Sequence, residues 1–160
     1  KVNGRAGIII KNTFLSNTDN ASIALRKQLL EECNLYAVLE VPRKTFTAGG
    51  ATVVLFFDKG NPTKKIWYYQ LNVGRSLGKK NPLNQKDMAE FVQMSETHEL
   101  SDNNWVIDVA NIDKDTYDLS VNNPNTFEDV DNRTPQEIIA EIEQLDLKAA
   151  EALKAIKELL

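Results

Sequence analysis

The sequence predicts an α/β fold that ends in a long helix. Short apolar runs rich in β-branched and aromatic residues recur through the first two thirds of the chain, which is typical of buried strands. Apolar residues at helical spacing lie between the first two runs, so a strand–helix–strand unit opens the chain. The last stretch repeats its apolar positions every three and four residues, which predicts a single amphipathic helix.

The opening unit is predicted from three consecutive segments. Arg5–Lys11 is an apolar, β-branched run, which predicts a strand buried on both faces. Ala21–Cys33 carries apolar residues near helical spacing, with Asn20 or Ser22 as its N-cap. Leu35–Val41 is the second predicted strand. Because such units cross over right-handedly, we expect these two strands to form a parallel pair.

Further strands and a short helix follow this unit. Ala51–Phe57 comes too soon after Pro42 for a crossover helix, so it should return antiparallel beside the second strand. Ile66–Leu71 and Trp105–Val109 are two more predicted strands. The remaining predicted features are a helix Gln85–Met94 capped by Asn84, with Met88, Phe91 and Val92 on one face, and an extended segment 113–133 anchored by Tyr117, Leu119, Val121 and Phe127.

The C-terminal helix has the clearest local signal. Thr134–Glu137 combines an N-cap threonine, a proline at the first helical position and a glutamate three residues after the cap. A helix over Pro135–Leu160 would be about 39 Å long, more than so small a domain can cover. It could dock on a partner helix as a coiled-coil arm, or fold back on its own domain. Its heptad seam consists of Ile138, Ile142, Leu145, Ala149, Ala152, Ile156 and Leu159.

Composition limits the classes of function. The net charge of −4 argues against a chain that coats nucleic acid, so any DNA contact needs a local basic patch or another part of an assembly. Cys33 is the single cysteine and His98 the single histidine, so we predict neither a disulfide nor a metal site. No apolar run approaches the roughly 18 residues that span a membrane, and we expect a cytoplasmic location.

Short motifs in a fixed order carry a resemblance to a known family. They are, in chain order, Gly4–Ile10, Leu29–Leu35, Val53–Gly60, Ile66–Tyr69, Val73–Leu83 and Tyr117–Asn125, followed by the Pro-Gln-Glu-Ile opening of the last helix. Together they resemble the methylation subunit of type I restriction–modification systems, a family of N6-adenine DNA methyltransferases. The resemblance covers essentially the whole chain.

The resemblance implies a fold and a division of the chain. Residues 1–72 resemble the C-terminal half of a Rossmann-like, S-adenosylmethionine-dependent methyltransferase sheet, with a parallel pair and an antiparallel hairpin at its far edge. Residues 73–133 would be a family-specific extension, and residues 134–160 a coiled-coil-like helix. The implied activity of the complete protein is methylation of adenine N6 in DNA, with a specificity subunit and a restriction subunit as partners.

Two motifs that this chemistry needs are not seen in the sequence. No G-x-G follows a predicted strand, as S-adenosylmethionine binding would require. Asn81–Asn84 and Asn123–Asn125 begin like the Asn-Pro-Pro-aromatic loop that holds a flipped adenine but lack the second proline and the aromatic, so we predict turns and caps. We therefore expect the catalytic half to be missing from this chain. The segment alone should contain no catalytic residue, bind no cofactor and be inactive.

The resemblance places the loop after the first strand opposite the extruded base. Family members usually have a proline at its start and an aromatic residue a few positions later, whereas this chain has Lys11 and Ser16. Asn12 and Phe14 are the candidate target-base residues in this loop. Packing of Phe14 against the helix is the alternative.

Two further candidate sites follow from the sequence. Arg75, Lys79 and Lys80 form a basic cluster among glycines, which suits contact with DNA phosphates or a solvated loop. The candidate subunit-docking residues are Ile138, Ile142, Leu145, Ile156 and Leu159 on the heptad seam.

Two classes of function compete at this point. The chain is either a methyltransferase segment that completes the sheet and docks on the specificity subunit, or a free-standing α/β protein-interaction module without enzymatic activity. A Gly-rich turn and an Asn-Pro-Pro-aromatic loop upstream in the reading frame would distinguish them. If the catalytic half is absent, the strand Arg5–Lys11 becomes an exposed apolar edge. We then expect self-association through this edge or through the heptad seam.

Overall fold

The computed structural model describes residues 4–46, 50–125 and 134–158. Short 3₁₀ turns over Asn12–Leu15 and Val109–Asn111 accompany the main elements. The mixture of helices with a five-stranded sheet confirms the predicted α/β class. The elements are β1 Arg5–Lys11, α1 Asn20–Glu32, β2 Cys33–Val41, β3 Thr52–Lys59, β4 Lys65–Gln70, α2 Ala89–Thr97, β5 Asn104–Asp108 and α3 Pro135–Glu158.

The strand order of the sheet is β1-β3-β2-β4-β5. β3 runs antiparallel to β2, as expected, with Val38 opposite Leu55. The predicted adjacent pairing of β1 with β2 is wrong, because β3 lies between them and pairs antiparallel with both. Apolar side chains on both faces of β3 suit this interior position. The parallel pair of the sheet is instead β2 with β4, and β5 adds antiparallel to β4.

β1 is an edge strand of the described sheet. The prediction that it is buried on both faces is wrong, since Ile8 and Ile9 are 44% and 56% exposed. β1 has a strand neighbour on one side only among the described residues, and at this end of the sheet the packed elements cover its faces only in part. The expected exposed, apolar, β-branched edge is therefore confirmed.

The core lies on both faces of the sheet. Alternating side chains of β4 show the division, because Tyr68 belongs to the cluster under α1 while Trp67 and Tyr69 belong to the cluster under α2. Phe91 anchors α2 by stacking on Trp67, with ring centroids 5.8 Å apart. Val92 was expected on this face but is exposed.

Local structure at the helix starts differs from the sequence expectations. α1 is capped by Asp19, whose Oδ1 accepts the Ser22 N–H at 2.9 Å, and not by Asn20 or Ser22. α2 begins only at Ala89, so Asn84 caps the preceding turn, where its Oδ1 accepts the Lys86 N–H at 2.9 Å. In both places a short polar side chain satisfies a backbone donor that the first turn leaves free.

The described part of the segment after β5, residues 113–125, is not one extended run, because it contains turns at 114–116 and 124–125 and a left-handed residue at Tyr117. Tyr117 and Leu119 are buried in the cluster under α1, and Val121 is partly buried. Phe127, the fourth expected anchor, lies outside the described residues.

α3 belongs to a second unit, Phe127–Leu160, which is separate from the unit Lys1–Thr126. The predicted capping box is confirmed: the Thr134 N–H donates to Glu137 Oε2 at 2.6 Å, and the Glu137 N–H donates to Thr134 Oγ1 at 3.2 Å. Of the predicted docking residues, Leu159 lies outside the described residues. The other four, Ile138, Ile142, Leu145 and Ile156, are all exposed. The boundary expected between residues 72 and 73 stays a prediction, as does the three-part division.

Thr63 provides a test of how the sheet is held at the start of β2. Its buried Oγ1 accepts the Leu35 N–H at 2.8 Å and donates to the Cys33 carbonyl at 2.8 Å. We expect Thr63→Val to lower the free energy of unfolding by about 1–3 kcal/mol, because it leaves two backbone groups unpaired. Urea denaturation measures this. Thr52→Val is the control, since the buried Thr52 Oγ1 has no hydrogen-bond partner among the described residues. A Thr63→Val loss no larger than that of the control would contradict the assignment.

Candidate functional site

Three loops leave the sheet at the same end. β1 and β2 are both antiparallel to β3, and β4 is parallel to β2, so β1, β2 and β4 all run in one direction. Their carboxyl ends, Lys11, Val41 and Gln70, therefore lie at one end of the sheet. Ligands of α/β proteins bind outside the carboxyl ends of the strands. This end is the candidate functional site.

The loop after β1 is a 3₁₀ turn fixed to the chain that enters β3. The Asn12 N–H donates to the Ala51 carbonyl at 3.0 Å. Phe14 is half-buried, packs against the core cluster under α1 and lines an apolar groove with Ile8 and Leu25. Asn12 and Phe14 therefore lie at the candidate site, and the Phe14 ring also has the packing role that the sequence left open.

Arg26 is a fully buried arginine next to this loop. Its guanidinium donates to four backbone carbonyls of two segments that are remote in sequence. In the loop after β1, Nη1 donates to Phe14 O at 2.7 Å and Nη2 to Asn17 O at 2.8 Å. In the segment after β5, Nη2 donates to Thr116 O at 2.7 Å and Nε to Tyr117 O at 2.8 Å. The side chain thus joins the site loop to the segment after β5.

The electrostatics of Arg26 are those of a buried cation that carbonyl dipoles stabilise. Burial lowers the pKa of Arg26, and the carboxylates of Asp118 and Asp19 oppose that shift. The Arg26 Cζ also lies 5.9 Å from the centre of the Phe14 ring.

Arg26 is not among the site residues predicted from the sequence, although a signal for it is present. Ile23, Arg26 and Leu30 are spaced by three and four residues, which puts them on one face of α1. An arginine at the centre of an apolar stripe indicates a buried, fully hydrogen-bonded side chain.

The loop after β4 carries the predicted basic cluster, and the structure divides that cluster. Arg75 forms an ion pair with Asp87 and donates to the carbonyls of Asn81 and Pro82 at 3.4 and 3.2 Å. Its charge is therefore used within the loop. Gly78 and Asn81 exchange two backbone hydrogen bonds, which leaves Lys79 and Lys80 exposed at the tip of a tight turn. β4 lies three strand spacings, about 14 Å, from β1.

The two Asn-Pro motifs are turns, as predicted. Asn81 Nδ2 donates to the Ser76 carbonyl at 3.0 Å, which closes the loop after β4. The Asn125 N–H donates to Asn123 Oδ1 at 2.8 Å, which forms a side-chain-stabilised turn.

The described residues at this end of the sheet lack the glycine-rich turn that S-adenosylmethionine binding is expected to require. Asn12, Pro42 and Leu71 directly follow the three parallel strands, and in the described ranges no glycine-rich turn leads from a strand into a helix. Nor do the described residues contain a cluster of metal-ligating side chains, His98 included. None of the helices in the described ranges is long and apolar enough to cross a membrane.

This architecture is that of an α/β domain whose candidate site residues lie on loops at one end of the sheet. The family model described as N-6 DNA Methylase matches residues 1–133, and the chain belongs to that family. The methylase subunit of the type I restriction enzyme EcoEI from Escherichia coli is 24% identical over 98% of this chain. The chain covers 34% of that relative.

Solved structures agree with the family. A modification subunit of a putative type I restriction enzyme from Vibrio vulnificus YJ016 superposes with a TM-score of 0.68 at 27% identity, covering 77% of this chain and 28% of that one. A chain from a study of complex assembly and conformational transition in a type I restriction–modification system gives a TM-score of 0.70 at 26% identity. The match covers all of this chain and 36% of the length of that chain. The comparisons give no support to the free-standing interaction module.

Glu40 gives a pH-dependent test of the candidate site. Burial raises the pKa of this carboxyl, near the carboxyl end of β2, above its ordinary value of 4.5. The folded chain thus favours the neutral form of the Glu40 carboxyl. The contribution of this group to the free energy of unfolding is present below pH 4.5 and is lost as the pH rises through the folded pKa. We expect Glu40→Gln to gain stability relative to the parent as the pH rises from 4.5 through the folded pKa of Glu40.

Thermal unfolding of both proteins across this range measures the difference. The exposed Glu96→Gln serves as control. A stability difference between parent and Glu40→Gln that does not change with pH would count against a raised pKa.

Proposed function

We propose that this chain forms the distal part of the catalytic sheet of a type I DNA methyltransferase subunit that methylates adenine N6 with S-adenosylmethionine. The observation that carries the proposal is the convergence of the loops after β1, β2 and β4 at one end of the sheet. In a family whose members methylate DNA, this end is where the target strand would be presented to the chemistry. Besides the specificity subunit, the restriction subunit and DNA are proposed as partners of the complete protein. A cytoplasmic location is proposed on the basis of that role.

The free edge of β1 supports completion of the sheet by the remainder of the protein. Hydrogen bonds from Lys59 N–H to Gly4 O and from Asn12 N–H to Ala51 O fix which residues face β3. By alternation, the peptide groups of Arg5, Gly7, Ile9 and Lys11 point away from β3. This row can pair with a further strand. We propose that the segment carrying that strand also carries the cofactor site and the catalytic loop. We therefore expect this chain alone to be inactive and to bind no S-adenosylmethionine, while self-association through the edge stays a prediction.

We propose that different loops at the candidate site contact different parts of the DNA. Asn12 and Phe14 lie on the loop after β1 and are proposed to face the extruded base. Lys79 and Lys80, exposed at the turn tip, are proposed to contact backbone phosphates. Arg75 is assigned to holding that loop, because Asp87 neutralises its charge.

Methylation by the complete subunit tests this function. We expect the full reading frame, assembled with its specificity subunit, to transfer methyl groups from S-adenosylmethionine to adenine in cognate DNA. The double variant Lys79→Gln with Lys80→Gln should weaken DNA binding. It should also reduce the slope of log K against log salt by up to about 2, since each phosphate contact contributes about 0.9.

The control keeps the same charge change at the opposite end of the sheet. Lys64→Gln with Lys65→Gln removes two adjacent exposed lysines where β4 begins. Absence of methyl transfer by the parent complex would reject the function. Equal salt slopes for the two double variants would reject only the lysine assignment.

α3 is proposed to dock on the specificity subunit. Its seam exposes about half of the Ile142, Leu145 and Ile156 side chains, which is typical of a helix that lacks its partner. The charges of the helix are also unevenly distributed. The charged residues of the first half are all acidic: Glu137, Glu141, Glu143 and Asp146. The lysines of the helix all lie in its second half, at Lys148, Lys154 and Lys157. A partner helix with basic residues opposite the first half would complement it.

The seam is tested by the double variant Ile142→Asp with Ile156→Asp. Two carboxylates in an apolar interface should abolish co-purification of the complete subunit with the specificity subunit. Leu147→Asp is the matched control, because Leu147 is 67% exposed but lies off the seam. Undiminished co-purification of the double variant would refute the docking role of the helix.

A further inference from the structure

Arg26 is a buried cation whose three guanidinium nitrogens all donate hydrogen bonds. A guanidinium has five N–H donors, and four hydrogen bonds of 2.7 or 2.8 Å use the Nε, Nη1 and Nη2 atoms of this one. The residue is 0% exposed. Hydrogen bonds from an ionised donor are about twice as strong as neutral ones, and losing one inside the protein leaves a buried charge unsatisfied.

The four accepting carbonyls belong to 3₁₀, turn and irregular backbone, outside the α-helices and the sheet. Phe14 and Asn17 are in the loop after β1, and Thr116 and Tyr117 are in the segment after β5. Irregular backbone of this kind depends on side chains to satisfy its polar groups. A planar fork of donors can bind both segments at once, whereas the single nitrogen of a lysine cannot reach the same four positions.

The backbone conformation of the segment after β5 directs two of its carbonyls at the guanidinium. Tyr117 has a φ of 48°, a left-handed conformation that is unfavourable for a residue with a side chain. Asp113 Oδ1 accepts the Thr116 N–H at 3.0 Å and so supports the turn. The Leu119 N–H then donates to Leu15 O at 2.9 Å, a second link between the same two segments.

We propose that Arg26 is the positioning residue of the target-base loop. It holds the loop after β1 in register with the segment 113–119, so that the placement of Asn12 and Phe14 depends on that segment. The inference rests on the proposed function, because it assigns the orientation of the same loop toward an extruded adenine. Arg26 itself is buried and does not touch DNA.

The test uses the complete methyltransferase assembled with its specificity subunit. Arg26→Lys keeps the positive charge but removes the planar set of guanidinium donors. Lys27→Arg, the reverse exchange at the adjacent exposed position of α1, is the control. Single-turnover methylation is measured on DNA whose target adenine is normally paired and on DNA whose target adenine is mispaired. Extrusion of a mispaired base costs less. A second readout is the fluorescence of 2-aminopurine at the target position, which reports base extrusion without methyl transfer.

We expect Arg26→Lys to lower the rate on paired DNA by roughly 10-fold or more, with a clearly smaller loss on mispaired DNA and a reduced 2-aminopurine signal. Equal losses on both substrates, or no loss, would overturn the proposal.

If the Arg26→Lys variant does not assemble with the specificity subunit, the Tyr117→Phe variant takes its place. This variant removes only the bond from the Tyr117 hydroxyl to Glu31 Oε1 at 3.1 Å, and it should give the same paired-to-mispaired difference at about 2–3-fold. A parent complex that methylates neither substrate would instead reject the proposed function.

Discussion

The buried guanidinium of Arg26 joins three segments that the hydrogen bonds of the sheet leave unconnected: the middle of α1, the loop after β1 and the turn at Thr116–Tyr117. Placing a cation there costs several kcal/mol, which only a complete set of partners offsets. Because all four acceptors are backbone carbonyls, the fold of the chain itself offsets this cost. Movement of either segment would break charge-assisted hydrogen bonds, so Arg26 restrains the loop after β1 relative to the segment after β5.

The position of β3 decides how the site is assembled. With β3 between β1 and β2, the loops after those strands are two strand spacings apart, about 10 Å, and the chain entering β3 lies between them. Asn12 bonds to that entering chain at Ala51. A direct β1–β2 pair would have brought the two loops together and moved β3 to an edge. The observed order therefore separates the loop after β1 from the carboxyl end of β2 and places the last part of the β2–β3 connection, at Ala51, against Asn12.

The sequence located most elements but not their neighbours, for a physical reason. Periodicity and caps are local signals, so the Thr134–Glu137 capping box and the β2 and β4 strands were found to within about two residues. Strand order depends on which edges meet, and an apolar run such as Arg5–Lys11 has the same pattern whether its faces are covered or open. Arg26 shows the limit within a helix. Its spacing indicates burial, whereas its partners at Thr116 and Tyr117 lie about 90 residues away along the chain.

The exposed features around β1 also indicate what can cover them. Ile9 lies on the face of the sheet with α2, while Ile8 lies on the other face beside the exposed Leu25 of α1. A strand pairing with the free edge would satisfy the outward peptide groups of β1 but would leave Leu25 in water. Covering both faces requires a strand with helices packed against it, as in sheets buried on both sides. An edge-to-edge pair of two copies covers the edge alone. The surface around β1 is therefore better matched by a further strand–helix unit of the same sheet than by a second copy of this chain.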